Sequence, residues 1–140
     1  MRYLETRRLK LRPYRPDDWE QIHRYASIPE FSQFDVWGPN SETDTKRFVA
    51  DCVASLSRDP VQRYELAVEL KFDGSVIGGC TLKRHPDDHK LAGLGYAINP
   101  DFQCHGYATM KLAGVLEQHQ VIKGVMTDSY RYELRRTQAP

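Results

Sequence analysis

The residue pattern with the clearest chemical meaning lies between an apolar stretch and a glycine that could open a helix. Gly95 to Ile98 is followed by the stop signal Asn99-Pro100 and then by Gln103, Gly106 and Ala108. A helix that begins at Gly106 would direct unpaired N–H groups and its positive dipole end into the preceding loop. Small residues let a phosphate approach main-chain amides closely. The spacing therefore predicts a diphosphate-binding turn.

Two other interpretations of the same turn stay open on these residues alone. A helix that begins with glycine and binds nothing is the simpler one. A general nucleotide-phosphate site is the other, but the chain contains neither Gly-x-x-x-x-Gly-Lys-Ser/Thr nor Gly-x-Gly-x-x-Gly.

Periodicity along the chain predicts the elements that would position this turn, in the order βααβββαβ. Such an order fits an α/β (α+β) fold with a mixed central sheet flanked by helices. The predicted strands are Leu4 to Leu11, Tyr64 to Leu70, Val76 to Leu82, Leu91 to Ile98 and Val125 to Leu134. The predicted helices begin after Pro16, after Ser41 and at Gly106, and the last runs to about His119.

Composition limits the classes of function. A length of 140 residues suits a single domain, 1–140, and 20 basic against 19 acidic residues predict neither a nucleic-acid nor a membrane partner. The first residues do not resemble a signal peptide, so a cytoplasmic location is expected. Cys52, Cys80 and Cys104 are odd in number and widely spaced, which favours reduced thiols over disulfides or a metal site.

The turn and the chain's opening together resemble a known family. Gln103-x-x-Gly106-x-Ala108 resembles the Gln/Arg-x-x-Gly-x-Gly/Ala signature of GNAT acyltransferases. The opening from Leu4 to Pro13 resembles the branch that includes the ribosomal-protein alanine acetyltransferases, and Val125 to Leu134 resembles that branch's final strand. The likeness covers most of the chain.

The resemblance implies an N-acetyltransferase that moves an acetyl group from acetyl-CoA to a primary amine, with a protein N-terminus as one option. It implies direct attack by the amine, without a covalent enzyme intermediate, and leaves the catalytic side chains unknown. It assigns cofactor binding to ten residues, in which the strand groups pair with the pantetheine arm and the loop amides bind pyrophosphate: Tyr96, Ala97, Ile98, Gln103, Cys104, His105, Gly106, Tyr107, Ala108 and Thr109.

The sequence departs from the family pattern in ways that suggest a second function. Where the branch often carries a glutamate, two residues before Gly95-Tyr96, this chain has Gly93. After Val121 the chain passes almost directly to Val125, where the family has a strand, a helix and a further strand, so the C-terminal part looks shortened. The alternative is a CoA-binding module with weak or no activity. An exposed sheet edge would also favour a homodimer through the C-terminal strand.

A few further residues have competing interpretations. Trp37 is expected either to line the acceptor cleft or to be a half-buried loop residue. Glu65 and Glu69 are expected on a solvated sheet face, although either could deprotonate an amine through water. His85 and His89 are expected to be solvated.

Overall fold

The computed structural model of the protein describes residues 4–33, 37–58, 63–87, 92–107, 111–122 and 125–133. Within these ranges there are seven strands and two α-helices. The strands are β1 (Leu4–Glu5), β2 (Leu9–Pro13), β3 (Arg63–Leu70), β4 (Val76–Arg84), β5 (Ala92–Ile98), β6 (Lys111–Ile122) and β7 (Val125–Glu133). The helices are α1 (Trp19–Ala26) and α2 (Glu42–Ser55), and short 3-10 helices lie at Pro16–Asp18 and Pro100–Phe102. None of the helices in these ranges is both long and apolar enough to cross a membrane.

The predicted first strand is divided into a small hairpin. Leu4 pairs with Leu11 and Glu5 with Lys10, so β1 folds back on β2. The hydroxyl of Thr6 accepts a hydrogen bond from Leu9 N at 3.0 Å, and Thr6 N donates to Leu9 O at 2.9 Å. This turn satisfies backbone groups locally, which is why the single strand predicted from Leu4 to Leu11 is wrong.

The first two helices begin where the sequence predicts. Pro16 opens the 3-10 turn that leads into α1. Ser41 caps α2 by accepting from Asp44 N at 3.1 Å, and Ser41 N donates to the Asp44 carboxylate at 3.0 Å. This reciprocal capping box satisfies two backbone donors that a helix start would otherwise leave unpaired.

The central sheet is antiparallel throughout, in the order β1-β2-β3-β4-β5. The expectation of a mixed sheet is therefore wrong for the described strands. A mixed sheet needs at least one parallel pair, and all four pairs of this sheet are antiparallel. β5 lies at one edge of this sheet. Its outer edge has no partner among the described strands.

The helix predicted from Gly106 to about His119 is also wrong. Lys111 to Ile122 forms β6, which pairs with β7 in a separate two-stranded sheet. Only Lys123-Gly124 separates the strands, a spacing that suits a hairpin, and helix propensity is weak enough for strand pairing to override it. β7 confirms the predicted last strand, and it pairs with β6.

Both faces of the central sheet carry buried apolar residues. One face packs under α1 and α2, in a cluster that includes Tyr14, Ile22, Val49 and Ala67. The opposite face holds a second cluster: Leu9, Val68, Leu70, Ile77 and Ile98. Because the helices cover the face that carries Glu65 and Glu69, the prediction that this face is solvated is wrong: Glu65 is 5% exposed.

Candidate active site

A cavity of about 720 Å³ lies between the two helices and the sheet face that they cover. Its wall is formed by aromatic rings, by charged side chains and by the strand backbones of β4 and β5. The lining residues include Tyr14, Tyr25, Trp37, Phe48, Asp44, Arg47, Asp51, Arg63, Glu65, Gly79, Thr81, Gly95, Tyr96 and Ala97. A volume of this size is in the range of small-molecule sites.

Glycine on the covered face leaves room for the Tyr14 side chain. A Cβ at Gly79 would come within 2.2 Å of the Tyr14 hydroxyl, whereas a Cβ at Gly95 would meet Thr81 only at 4.0 Å. Tyr14 is 5% exposed, and its pKa is raised well above the usual value, mainly by burial. The phenol is therefore a neutral hydrogen-bonding group at the cavity wall.

Glu65 brings a carboxylate to the cavity from the middle of the covered face. Its Oε2 accepts a hydrogen bond from Thr81 Oγ1 at 2.6 Å, and its Oε1 is paired with Arg63 Nε. Burial and then the charge of Glu65 raise the pKa of the nearby Cys80 thiol. For Cys52 the same two causes, in the same order, raise the pKa to about 12.

Trp37 lies at the cavity wall and is half-buried. Its ring packs at 5.9 Å from the Phe31 ring, and Phe31 in turn packs edge-on against Tyr25 at 5.1 Å. The ring therefore packs on the core, as a half-buried loop residue would, and it also borders the cavity.

β5 connects the cavity to the predicted diphosphate-binding loop. Gly95, Tyr96 and Ala97 border the cavity, and Ile98 is followed by the loop. A Cβ at Gly78 of β4 would come within 2.0 Å of the Ala97 carbonyl oxygen, so glycine there permits close pairing of the two strands. The outer edge of β5 presents backbone groups of the kind that pair with an added extended chain.

The loop after β5 is held by its own side chains. Gln103 Nε2 donates to Ile98 O at 2.9 Å, which ties the loop to the end of the strand. His105 Nδ1 lies 2.7 Å from Gln103 O, and the His105 ring stacks on Tyr107 with 5.6 Å between ring centroids. The loop conformation is therefore fixed by contacts that the sequence pattern alone does not reveal.

Two residues of this loop adopt left-handed backbone conformations. Cys104 has φ of 64° and Gly106 has φ of 76°. Of the two, only Gly106 lacks a Cβ and so adopts this conformation without steric cost. The backbone conformation is therefore a second reason for glycine at position 106, besides access for a phosphate. Ala108 and Thr109 lie outside the described residues.

Arg8 contributes a positive charge to the loop from the start of β2. Its Nη1 donates to His105 O at 2.8 Å, and its guanidinium lies 4.6 Å from the centroid of the Tyr107 ring. No local sequence pattern could reveal this contact, because Arg8 and His105 are 97 residues apart. A planar guanidinium suits the recognition of phosphate.

The structure brings the predicted site residues together along one path. Tyr96, Ala97 and Ile98 form the edge strand, and Gln103, Cys104, His105, Gly106 and Tyr107 form the loop that follows it. His85 is exposed as expected, and its Nδ1 accepts from Asp87 N at 3.2 Å, while His89 lies outside the described residues. In the described part of the chain, no group of three or more potential ligand side chains could hold a metal ion.

Comparison with known proteins identifies this arrangement at the level of family and fold. The sequence profile of the acetyltransferase (GNAT) domain matches residues 8–127. The YnaD protein of Bacillus subtilis (strain 168), described as an uncharacterized N-acetyltransferase, is 25% identical over 115 residues. That match covers 82% of this chain and 64% of the relative, so the chain spans less than two thirds of the relative's length.

Solved structures share the fold at low sequence identity. A GNAT-family acetyltransferase from Bacillus anthracis has a TM-score of 0.76 at 18% identity, with 94% of this chain and 96% of that chain covered. RimL, a ribosomal L7/L12 alpha-N-protein acetyltransferase, has a TM-score of 0.70 at 14% identity, with coverage of 94% and 92%. The microcin C7 self-immunity acetyltransferase MccE, in complex with acetyl-CoA and AMP, has 0.69 at 14% identity, with coverage of 91% and 92%.

Proposed function

Because this chain belongs to the acetyltransferase (GNAT) family, we propose that it transfers an acetyl group from acetyl-CoA to a primary amine that binds in the cavity. The observation that carries the proposal is the continuity of the site. The cavity ends on β5, the outer edge of β5 has no partner among the described strands, and the loop that Arg8 contacts follows directly. One path thus offers an amine pocket, a strand edge and a cation.

The residues fit the two polar parts of CoA. Backbone groups of Tyr96, Ala97 and Ile98 would pair with the amide-bearing pantetheine arm as an added strand does. The loop from Gln103 to Gly106 and the adjoining Tyr107, together with Ala108 and Thr109, would hold the pyrophosphate. Arg8 supplies the positive charge that the predicted helix dipole was expected to supply.

The chemistry asked of this chain is orientation, charge stabilisation and removal of a proton. When bound, acetyl-CoA supplies an activated acyl group as a thioester. A main-chain N–H of the Tyr96 to Ile98 segment would donate to the carbonyl oxygen as negative charge develops there. The cavity would hold the amine in position for direct attack and limit access of water.

Gly106→Glu tests the CoA site directly. It places a carboxylate where the pyrophosphate would lie and strains a residue with φ of 76°, so CoA affinity measured by calorimetry should fall at least about tenfold. Gly74→Glu is a matched control, since Gly74 has φ of 75° and open space around it but lies in the β3–β4 turn. Unchanged CoA affinity in Gly106→Glu, or equal loss in both variants, would refute the assignment.

Arg8→Gln examines the contribution of the new cation. CoA affinity should fall and depend less on salt, because one positive charge near the pyrophosphate is removed. Arg7→Gln, at the exposed neighbouring position, serves as the control. Equal affinities of the Arg8 and Arg7 variants would remove Arg8 from the site.

Gly93 supports a second candidate function, a CoA-binding module with weak or no transfer. The family's frequent glutamate is absent there, and a Cβ at Gly93 would meet only Lys83 O, at 3.9 Å, so a side chain can be accommodated. Thiol release from acetyl-CoA against a panel of amines and N-terminal peptides distinguishes the two. Binding without turnover, with activity gained in Gly93→Glu, would establish the module.

We further propose a homodimer through the C-terminal strand, and a cytoplasmic location stays a prediction. The two-stranded sheet of β6 and β7 supports association through this segment, because an isolated hairpin is only marginally stable without further packing. Light scattering at micromolar concentration should give a dimer for the intact chain and a monomer after residues 125–140 are deleted. A monomeric intact chain, or a dimer that survives the deletion, would contradict the proposal.

A further inference from the structure

We infer that Glu65 is the proton acceptor for the incoming amine, and that Thr81 relays the proton between them. This inference rests on the proposed function and deepens it, because the position at which the family often has a glutamate is Gly93 in this chain. It also defines the acceptor as a primary ammonium that enters the cavity in its protonated form.

The hydrogen bond between Thr81 and Glu65 has a direction that suits a relay. Thr81 Oγ1 donates its only proton to Glu65 Oε2 at 2.6 Å, so the lone pairs of the same oxygen can accept from an ammonium in the cavity. Both residues line the cavity, and Thr81 stands opposite Gly95 of β5, where no side chain intervenes. The relay therefore ends beside the strand that is proposed to bind CoA.

The second carboxylate on the same strand has no such access. Glu69 is paired with Arg12, which also forms two hydrogen bonds to Asp18, at 2.8 and 2.9 Å. Glu69, Arg12 and Asp18 are not among the cavity-lining residues. Of the two glutamates that the sequence offers as bases, only Glu65 can exchange a proton with a bound amine.

The proton balance of the step closes on this chain and the two substrates. The ammonium gives a proton to Thr81 Oγ1 while Thr81 passes its own hydroxyl proton to Glu65, which leaves a neutral amine, an intact hydroxyl and a neutral carboxylic acid. The nitrogen then forms its bond to the acetyl carbon as the C–S bond breaks, and the proton that the nitrogen sheds leaves with the thiolate. Glu65 releases its proton to solvent before the next cycle.

Arg63 holds the Glu65 carboxylate in place, and several titratable groups lie near that carboxylate. Arg63 Nε pairs with Glu65 Oε1 while 55% of the Arg63 side chain stays exposed, so the carboxylate has a charged partner that solvent can reach. The other titratable groups that line the cavity are Tyr14 just after β2, Tyr25 on α1, Asp44, Arg47 and Asp51 on α2, and Tyr96 on β5. Cys52 does not line the cavity, but the charge of Glu65 acts on its thiol. Both Tyr14 and Cys52 carry raised pKa values and stay neutral at physiological pH.

The test is the pH dependence of kcat/KM for phenethylamine in wild type, Glu65→Gln, Thr81→Val and Thr81→Ser. Wild type should show a plateau at neutral pH, because Glu65 accepts the proton of the ammonium. Glu65→Gln and Thr81→Val should be slower at pH 7 by ~10²- to 10⁴-fold, and their rates should rise about tenfold per pH unit toward the amine pKa of about 10. Thr81→Ser keeps the hydroxyl and should restore the plateau.

The outcomes separate this inference from the proposed function. An active wild type whose pH profile is unchanged in Glu65→Gln overturns the relay and leaves the transferase intact. A wild type that acetylates no amine overturns the transferase. In that case the relay falls with it, and calorimetry with phenethylammonium tests the ammonium site alone: equal affinity in wild type and Glu65→Gln overturns that site, and a loss of tenfold or more supports it.

Discussion

Two glutamates on one strand, four residues apart and on the same face of the sheet, have very different surroundings. Glu69 belongs to an ion cluster with Arg12 and Asp18, and the side chains of both partners are buried. Glu65 borders a cavity and is paired with an arginine whose side chain is 55% exposed. The Glu65 side chain is nevertheless the more buried of the two, at 7% against 16% exposure.

This difference shows that the degree of burial does not separate a structural carboxylate from a functional one. Arg12 satisfies Asp18 with two nitrogens and Glu69 with a third, and its pKa is raised above the usual value, first by the hydrogen bond to Asp18. Such a cluster is closed and ties β2 to β3 and to the 3-10 turn before α1. The second oxygen of Glu65 instead accepts from the hydroxyl of Thr81, a residue that lines the cavity, and this hydrogen bond is the proposed route for proton exchange.

The largest effect on stability is expected from Arg12→Met, and Arg63→Met is its comparison, because each arginine pairs with one of the two glutamates. Arg12→Met leaves two buried carboxylates without their cation, which should lower the free energy of unfolding by ~3–5 kcal/mol. Arg63→Met leaves one buried carboxylate, that of Glu65, which keeps its hydrogen bond from Thr81, and it should cost less, about 1–3 kcal/mol. Urea unfolding of both variants measures the difference, and equal losses would mean that the two clusters are equivalent.

Adding one methyl group at two glycines of the covered face should have a smaller effect. Gly79→Ala places a Cβ 2.2 Å from the Tyr14 hydroxyl, and the displacement of that buried ring should cost ~1–3 kcal/mol. Gly93→Ala meets only ordinary contact at 3.9 Å and should be nearly neutral. Thermal unfolding gives both values, and a neutral Gly79→Ala would show that Tyr14 is not confined at the cavity wall.

Between pH 9 and 10, the change in stability that comes from the Cys52 thiol beside Glu65 should be the smallest of these effects. Burial raises the folded-state pKa of Cys52 to about 12 from the ordinary thiol value of 9.0, so the unfolded chain loses this proton first. The contribution is complete below pH 9 and is lost as the pH rises toward 12, at up to ~1.4 kcal/mol per pH unit. Cys52→Ala should flatten the slope between pH 9 and 10. An unchanged slope in that variant would mean that the thiol is not desolvated.

Local sequence signals were sufficient for the elements that depend on neighbours along the chain. The capping box at Ser41, the turn around Gly74 and the alternation of Tyr64 to Leu70 each correspond to an element in the structure. These features depend on hydrogen bonds or periodicity within a few residues. The GNAT resemblance was likewise carried by contiguous motifs and is confirmed by the family match.

Long-range contacts explain what the sequence did not reveal. Strict alternation placed Glu65 and Glu69 on a polar face, but a polar face is solvated only if no helix covers it, and two helices do. Arg8 reaches His105 across 97 residues. The segment after Gly106 has apolar residues at helical spacing, yet its pairing with β7 was not visible in that spacing. In each case tertiary contacts decide the outcome.

The most direct measurement compares wild type, Glu65→Gln and Glu69→Gln in the same buffer at pH 7. Two quantities are measured for each protein: the rate of acetyl-CoA-dependent thiol release per folded molecule, and the free energy of unfolding. We expect the wild type to turn over. Glu65→Gln should lose ~10²- to 10⁴-fold in rate with a small change in stability, and Glu69→Gln should lose stability with its rate per folded molecule preserved. Equal rates in the two variants, or a wild type that releases no thiol, would contradict the account.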